Sequence, residues 1–352
     1  MTPLAEQLIA RIARTGPIPL SDYMAECLLH PQHGYYSTRD PLGAAGDFTT
    51  APEVSQMFGE LIGLCLAQTW KDQGKPAAIA LAELGPGRGT LMADVLRATK
   101  GVPGFHAVAQ VHLVEASPVL RQAQADRVPQ ATWHDSIEGL PDLPLFLIAN
   151  EFFDALPIRQ FQRAEGGWSE CVVGVQDGTL AYGLTSPSPI ARLEHRLEDT
   201  KPGDIVETCA PGQAVANRIG QQIEAHGGAA LIIDYGDWRS QGDTFQAVAR
   251  HGHVDPLSAP GQADLTAQVD FEALALAASP AKFTRLTPQG VFLERLGITQ
   301  RAEALAAKLS GPALETHIAA HRRLTHPAEM GHLFKVIGLT PSTAAPPPGL
   351  EP

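Results

Sequence analysis

The chain has 352 residues, 44% of them apolar, and a formal net charge of −12. That length holds one large domain with insertions, or two domains, around a substantial core. The acidic balance excludes a phosphate-binding nucleic-acid surface, and no apolar run reaches the roughly 18 residues of a membrane span.

The four cysteines, Cys27, Cys65, Cys171 and Cys209, form no CxxC pair, so they read as reduced thiols without a zinc site or disulfide framework. The N-terminus lacks a secretory h-region, and Glu6 interrupts the basic pattern of Arg11 and Arg14. A bacterial cytoplasmic location is expected, or the mitochondrial matrix in a eukaryote.

Residues 3–14 read as an amphipathic helix with Leu4, Leu8, Ile9 and Ile12 on one side. Ser21-Asp22 is placed as the cap of a second short helix carrying Met24, Cys27 and Leu28. The stretch from His30 to Thr50 is long for a connection and holds Gly34, Gly43 and Gly46. Within it, Asp47 and Phe48 read either as a site-covering acid and ring or as an Asx-turn. Pro52-Glu53 opens a helix to about Trp70, with Glu53 favouring its N-terminal dipole.

Ala77–Leu81 reads as a buried strand, and Leu91–Arg97 as a helix. Between them lies Ala82-Glu83-Leu84-Gly85-Pro86-Gly87-Arg88-Gly89-Thr90, a glycine turn leading into a helix N-terminus. Glycine lets the backbone turn sharply and approach a ligand. Glu83 would repel a pyrophosphate but suits the amino group and sulfonium of S-adenosylmethionine. A second strand, Val108–Val114, ends at Glu115-Ala116, where an acid can bond ribose hydroxyls. After a short third strand come Asp135 and Ser136, placed at the adenine. The fourth strand, Pro144–Ala149, runs into Asn150-Glu151-Phe152-Phe153-Asp154. Ligands in such sheets bind beyond the carboxyl ends of the strands.

Ile158–Arg163, Trp168–Gln176 and Thr179–Leu184 read as short strands of an insertion. A helix over 212–226 leads into a fifth core strand, Gly228–Asp234, followed by Tyr235. Lys282–Leu286 and His332–Leu339 are the last two strands, with helices over 288–324 between them. The proline-rich stretch from Ala344 reads as disordered.

These residues together resemble a class I S-adenosylmethionine-dependent methyltransferase. Gly46–Leu61, Asn150–Phe161, His251–Leu257, Asp264–Phe271, Pro288–Leu293 and Met330–Val336 resemble, more narrowly, the MidA family, which includes the mitochondrial complex I assembly factor 7 proteins. Gln268 departs from the ionisable residue expected there.

The resemblance implies an α/β Rossmann-like fold with a seven-stranded, mostly parallel sheet. It also implies methylation of an arginine on a respiratory complex I subunit, and is compatible with a homodimer. The corresponding map is an N-terminal helical region and covering loop over 1–75 and a first core half over 76–157. A β insertion over 158–207, a second core half over 208–287 and a helical insertion over 288–328 follow. The last strand spans 329–340, and a disordered tail 341–352.

The expected donor site comprises Glu83, Gly85, Pro86, Gly87, Gly89, Thr90, Glu115, Ala116, Asp135, Ser136 and Asn150. Carboxylates can pair with a guanidinium fork and orient one nitrogen, so Glu151, Asp154 and Asp47 are the expected catalytic acids. Phe48, Tyr235, His251 and Asp255 are expected at the acceptor. His251-Gly252-His253 with Asp255 lacks further strong ligands, so no metal is expected. Small-molecule methylation and a non-catalytic assembly chaperone are the alternatives. A nicotinamide oxidoreductase is disfavoured by Glu83.

Overall fold

The computed structural model describes residues 1–38, 50–250 and 252–352. The chain divides into two compact units. The larger comprises Leu42–Phe153, Gln213–Trp238 and Phe271–Pro352. Its sheet runs along seven strands: β1 (Ile79–Leu84), β2 (Ala109–Val114), β3 (Thr132–His134), β4 (Leu145–Asn150), β5 (Gly228–Asp237), β6 (Lys282–Phe283) and β7 (Phe334–Thr340).

Across the sheet the order is β3-β2-β1-β4-β5-β7-β6. Pairing is parallel from β3 through β5, whereas β7 is antiparallel to both β5 and β6. Every residue of β1 and β4 is buried, as expected of parallel strands covered on both faces. The order reverses between β1 and β4, so the crevice beyond their carboxyl ends is the natural ligand position.

Helix Gln56–Asp72 packs closely on helix Thr90–Thr99 because two of its residues lack side chains. A Cβ at Gly59 would lie 2.6 Å from the Asp94 Cβ, and one at Gly63 2.9 Å from the Val95 Cα. The expected single helix from Pro52 is in fact two, Ala51–Val54 and Gln56–Asp72. Ser55 is extended (φ −162°) and its hydroxyl accepts from the Met57 N–H at 3.2 Å, capping the second helix. The predicted strand Lys282–Leu286 shortens to two residues, and Thr287–Pro288 pairs separately with β7. His332 and Leu333 are helical rather than extended.

The C-terminal stretch is not the disordered tail its prolines suggest. Leu350 is buried in the main core. The Cys65 thiol donates to the Pro348 carbonyl at 3.4 Å, and Arg295 pairs with Glu351 at 2.7 Å. Prolines restrict the unfolded chain as well as the folded one, which lowers the entropic cost of docking such a segment. Leu350→Ala is expected to cost about 2 kcal/mol, read as a lower unfolding midpoint in urea; an unchanged midpoint would put the segment outside the core.

The smaller unit comprises Met1–Pro41, Asp154–Gly212 and Arg239–Asp270. Residues 1–75 therefore do not form one region: the N-terminal part groups with the β insertion, and the rest with the core. Helix Pro3–Thr15 buries Leu4, Ala5, Leu8 and Ile12, and Thr2 caps it by accepting from the Ala5 N–H at 3.1 Å. Helix Leu20–Leu29 starts before Ser21, so Ser21-Asp22 is no cap; Asp22 lies in the first turn and pairs with Arg11 at 2.7 Å. The insertion strands Arg159–Ala164, Gly167–Gln176 and Thr179–Leu184 are joined by Ile205–Thr208 and by the N-terminal Ile18–Pro19. A second, three-stranded sheet places Gln246–Ala249 between Gly252–Val254 and Asp264–Thr266.

Candidate active site

The glycine turn lies at the carboxyl end of β1. Gly85, Gly87 and Gly89 have φ of 58°, 54° and 79°, a region that side chains with a Cβ avoid. The Gly85 N–H donates to the Val114 carbonyl at 3.0 Å, tying the turn to the end of β2. A Cβ on Gly85 would meet the Phe152 ring at 3.0 Å, so the loop after β4 rests against the turn. Gly89 leads directly into helix Thr90–Thr99. Gly87→Val is expected to abolish binding of S-adenosylhomocysteine while the fold persists, as read by calorimetry and circular dichroism; unchanged affinity would remove the turn from the site.

Glu83 is buried, and its Oε2 has no hydrogen-bond partner among the described residues. Burial pushes its carboxyl up to about 8, with the Met92 N–H opposing and Glu115 reinforcing the shift. A lone buried carboxylate is costly without a cation or donor, so the ammonium of a bound amino acid moiety fits it.

Glu115, at the end of β2, is also buried. Its Oε1 accepts from the Ser117 N–H at 2.8 Å and its Oε2 from the Gln124 amide at 3.1 Å. Burial raises its carboxyl and these donors oppose the rise. A carboxylate has about four lone-pair positions, enough to accept from a ribose hydroxyl as well as from these donors. Asp135 is exposed and pairs with Arg121 at 2.6 Å; Ala116 and Ser136 are exposed beside the two strand ends. Thr90 donates to Glu53 at 2.5 Å and also accepts from Arg127. Glu53 therefore does more than favour a helix dipole. Gln124, Arg121 and Arg127 escaped the sequence reading, although their three-residue spacing on one helix was visible.

The loop after β4 carries the first acid expected at the acceptor. Glu151 has φ of 52°, an uncommon value for a residue with a side chain. Its N–H donates to the Ile233 carbonyl at 2.9 Å. Its Oε1 accepts from the Ala51 N–H at 2.9 Å and from Asn150 at 3.1 Å. Burial pushes the Glu151 carboxyl up to about 7, against the pull of those donors and of Arg323. The Asn150 Oδ1 is buried with no partner among the described residues. Asp234, fully buried within β5, accepts from the Phe153 N–H at 3.0 Å and the Tyr235 N–H at 2.9 Å. The Tyr235 ring packs 5.8 Å from that of Phe334.

Asp154 and Asp255, also expected at the acceptor, belong to the smaller unit. Asp154 is buried in the smaller unit, where its carbonyl accepts from the Ala267 N–H at 3.0 Å. Asp255, in the same unit, is exposed and folds a turn by accepting from the Leu257 N–H at 2.9 Å. Gln268 is exposed, and its N–H donates to the Thr244 hydroxyl at 2.9 Å. Asp47, Phe48 and His251 lie outside the described residues.

The model of a family of S-adenosyl-L-methionine-dependent methyltransferases matches residues 61–289. The chain belongs to this family. A Drosophila melanogaster protein named "Protein arginine methyltransferase NDUFAF7 homolog, mitochondrial" is 38% identical over 97% of this chain and 86% of its own length. The human "Protein arginine methyltransferase NDUFAF7, mitochondrial" is 36% identical over 97% of this chain and 84% of its own. A Burkholderia thailandensis crystal structure bound to S-adenosyl-homocysteine superposes with a TM-score of 0.85 at 29% identity, covering 98% of this chain and 94% of that one.

The chain is thus an S-adenosylmethionine-dependent methyltransferase, as the MidA resemblance implies. The glycine turn, the orphaned Glu83 oxygen and the Glu115 carboxylate suit this cofactor class in shape and charge.

Proposed function

We propose that the chain transfers the methyl group to an arginine side chain of a protein, and that this protein is a subunit of respiratory complex I. The observation that carries the reading is that relatives matching 96–97% of the chain at 36–38% identity are named protein arginine methyltransferases. The complex I assignment rests on the resemblance to the complex I assembly factor 7 proteins.

In this reading Glu83 meets the donor's ammonium, Gly85, Gly87 and Gly89 let the backbone approach, and Glu115 bonds the ribose. Asp135 and Ser136 lie toward the adenine. When bound, the donor supplies an activated methyl group on a sulfonium. The protein's task is then to orient the acceptor and localise its charge.

A guanidinium stays protonated near neutral pH. The Glu151 carboxylate holds its fork and leaves one nitrogen free for the methyl; as that nitrogen bonds carbon it sheds one proton to solvent, and the thioether S-adenosylhomocysteine leaves. The fork's charge draws the carboxyl below its present value near 7. Asn150 fixes the Glu151 carboxylate through its amide. The acidic surface, with its net charge of −12, suits a basic arginine-bearing segment.

The test is to incubate the protein and methyl-labelled S-adenosylmethionine with complex I subunits from cells lacking this chain. Mass spectrometry should find label on an arginine of one subunit. Label on lysine, on small molecules only, or nowhere would overturn the assignment.

A further inference from the structure

We propose that Gln124 is a positioning residue for the donor: it ties the glycine turn to the Glu115 carboxylate, so that recognition of the ribose depends on it. The proposal rests on the assignment of Glu115 to the ribose. Helix Pro118–Arg127 carries Arg121, Gln124 and Arg127 at intervals of three, which places them along one face. Each reaches a different part of the donor site. Arg121 donates to the Glu115 carbonyl at 2.8 Å and to Asp135 at 2.6 Å. Arg127 donates to the Thr90 hydroxyl.

Gln124 sits between them, fully buried. Its Nε2 donates to the Gly87 carbonyl at 2.7 Å and to the Glu115 Oε2 at 3.1 Å. Its Oε1 accepts from the Trp133 indole at 2.8 Å. An indole N–H only donates, and a carbonyl and a carboxylate only accept. Three partners from three different segments therefore agree on one orientation of the amide. Both amide hydrogens and the oxygen are engaged, so the side chain has one satisfied position.

That position sets two things at once: where the Gly87 peptide stands, and which way the Glu115 carboxylate faces. Without the amide, the Glu115 Oε2 loses the donor that holds it at 3.1 Å. The carboxylate is then free to turn from the ribose, and burial holds its proton to higher pH.

The experiment is calorimetric titration of wild type, Gln124→Leu and the near-isosteric Gln124→Glu at pH 8, using S-adenosylhomocysteine and its 2′-deoxy analogue as probes. The wild type should prefer the hydroxylated probe by about tenfold, the loss of one hydrogen bond to a charged group. Both variants should bind S-adenosylhomocysteine at least about tenfold more weakly, and the preference between probes should largely disappear.

A variant that binds more weakly yet keeps the full preference would reduce Gln124 to a structural role and overturn the proposal. A wild type that binds both probes equally would overturn the assignment of Glu115 instead.

Discussion

Glu83→Gln is expected to weaken S-adenosylhomocysteine binding by about a hundredfold, or about 3 kcal/mol, the scale of a charged hydrogen bond lost in a buried site. Size stays nearly constant in this exchange; what disappears is the negative charge beside the ligand's ammonium, and with it one acceptor oxygen. The pH dependence follows from the carboxyl's position near 8. The ligand requires the ionised form, so wild-type affinity should rise from pH 6 to pH 8 and then level off, whereas the Gln variant should be flat.

Stability without ligand should move the other way. The folded carboxyl near 8 lies above its unfolded value of about 4.5. Its contribution is fully present below the unfolded value and is lost as the pH rises through the folded one. Glu83→Gln should therefore raise the unfolding midpoint of the ligand-free protein at pH 8. A variant with wild-type affinity would place the ammonium elsewhere.

Glu151→Gln is expected to lower turnover on an arginine-containing protein by about a thousandfold, the order seen when a preorganised charge-stabilising group is removed. Affinity for S-adenosylhomocysteine should stay within about twofold, because Glu151 serves the acceptor in this account; such a split isolates transition-state effects from binding. With the carboxyl near 7 in the free protein, wild-type kcat/KM should climb as the pH passes 7 and plateau above it. The variant should be low and lack that climb. Radiolabel transfer measured from pH 6 to 9 checks both points. Wild-type turnover in the variant would remove Glu151 from the reaction.

The parallel half of the sheet was legible because β1 and β4 are buried along their length, and β2 over its last four residues, and so read as apolar runs. β1, β2 and β4 each announce themselves this way, and each ends in an acid or amide at the crevice. Those strand ends made Glu83, Glu115 and Asn150 visible. The glycine turn was visible because its positive φ values demand glycine.

Other features left no local trace. Ile18–Pro19 pairs with Val172 and Val173 far along the chain, and two residues carry no periodicity. Ser55 breaks a helix whose apolar spacing is otherwise continuous. Leu350 docks among prolines, so composition pointed to disorder while buried side chains and nonlocal bonds such as Cys65 to Pro348 decided the outcome. Gln124 looked like an ordinary polar helical residue. Its role lies in three nonlocal partners, which only the folded chain assembles.

The most direct test of the site is the number of protons released when S-adenosylhomocysteine binds. It is obtained by calorimetric titration at pH 7 in two buffers of different ionisation enthalpy, with NADH as the control ligand. With its carboxyl near 8, Glu83 is mostly protonated at that pH and must ionise to meet the ligand's ammonium. S-adenosylhomocysteine should bind tightly with release of close to one proton, and NADH should not bind. Binding without proton release would contradict the pairing of Glu83 with the ligand, and binding of NADH would contradict the cofactor selectivity assigned to this turn.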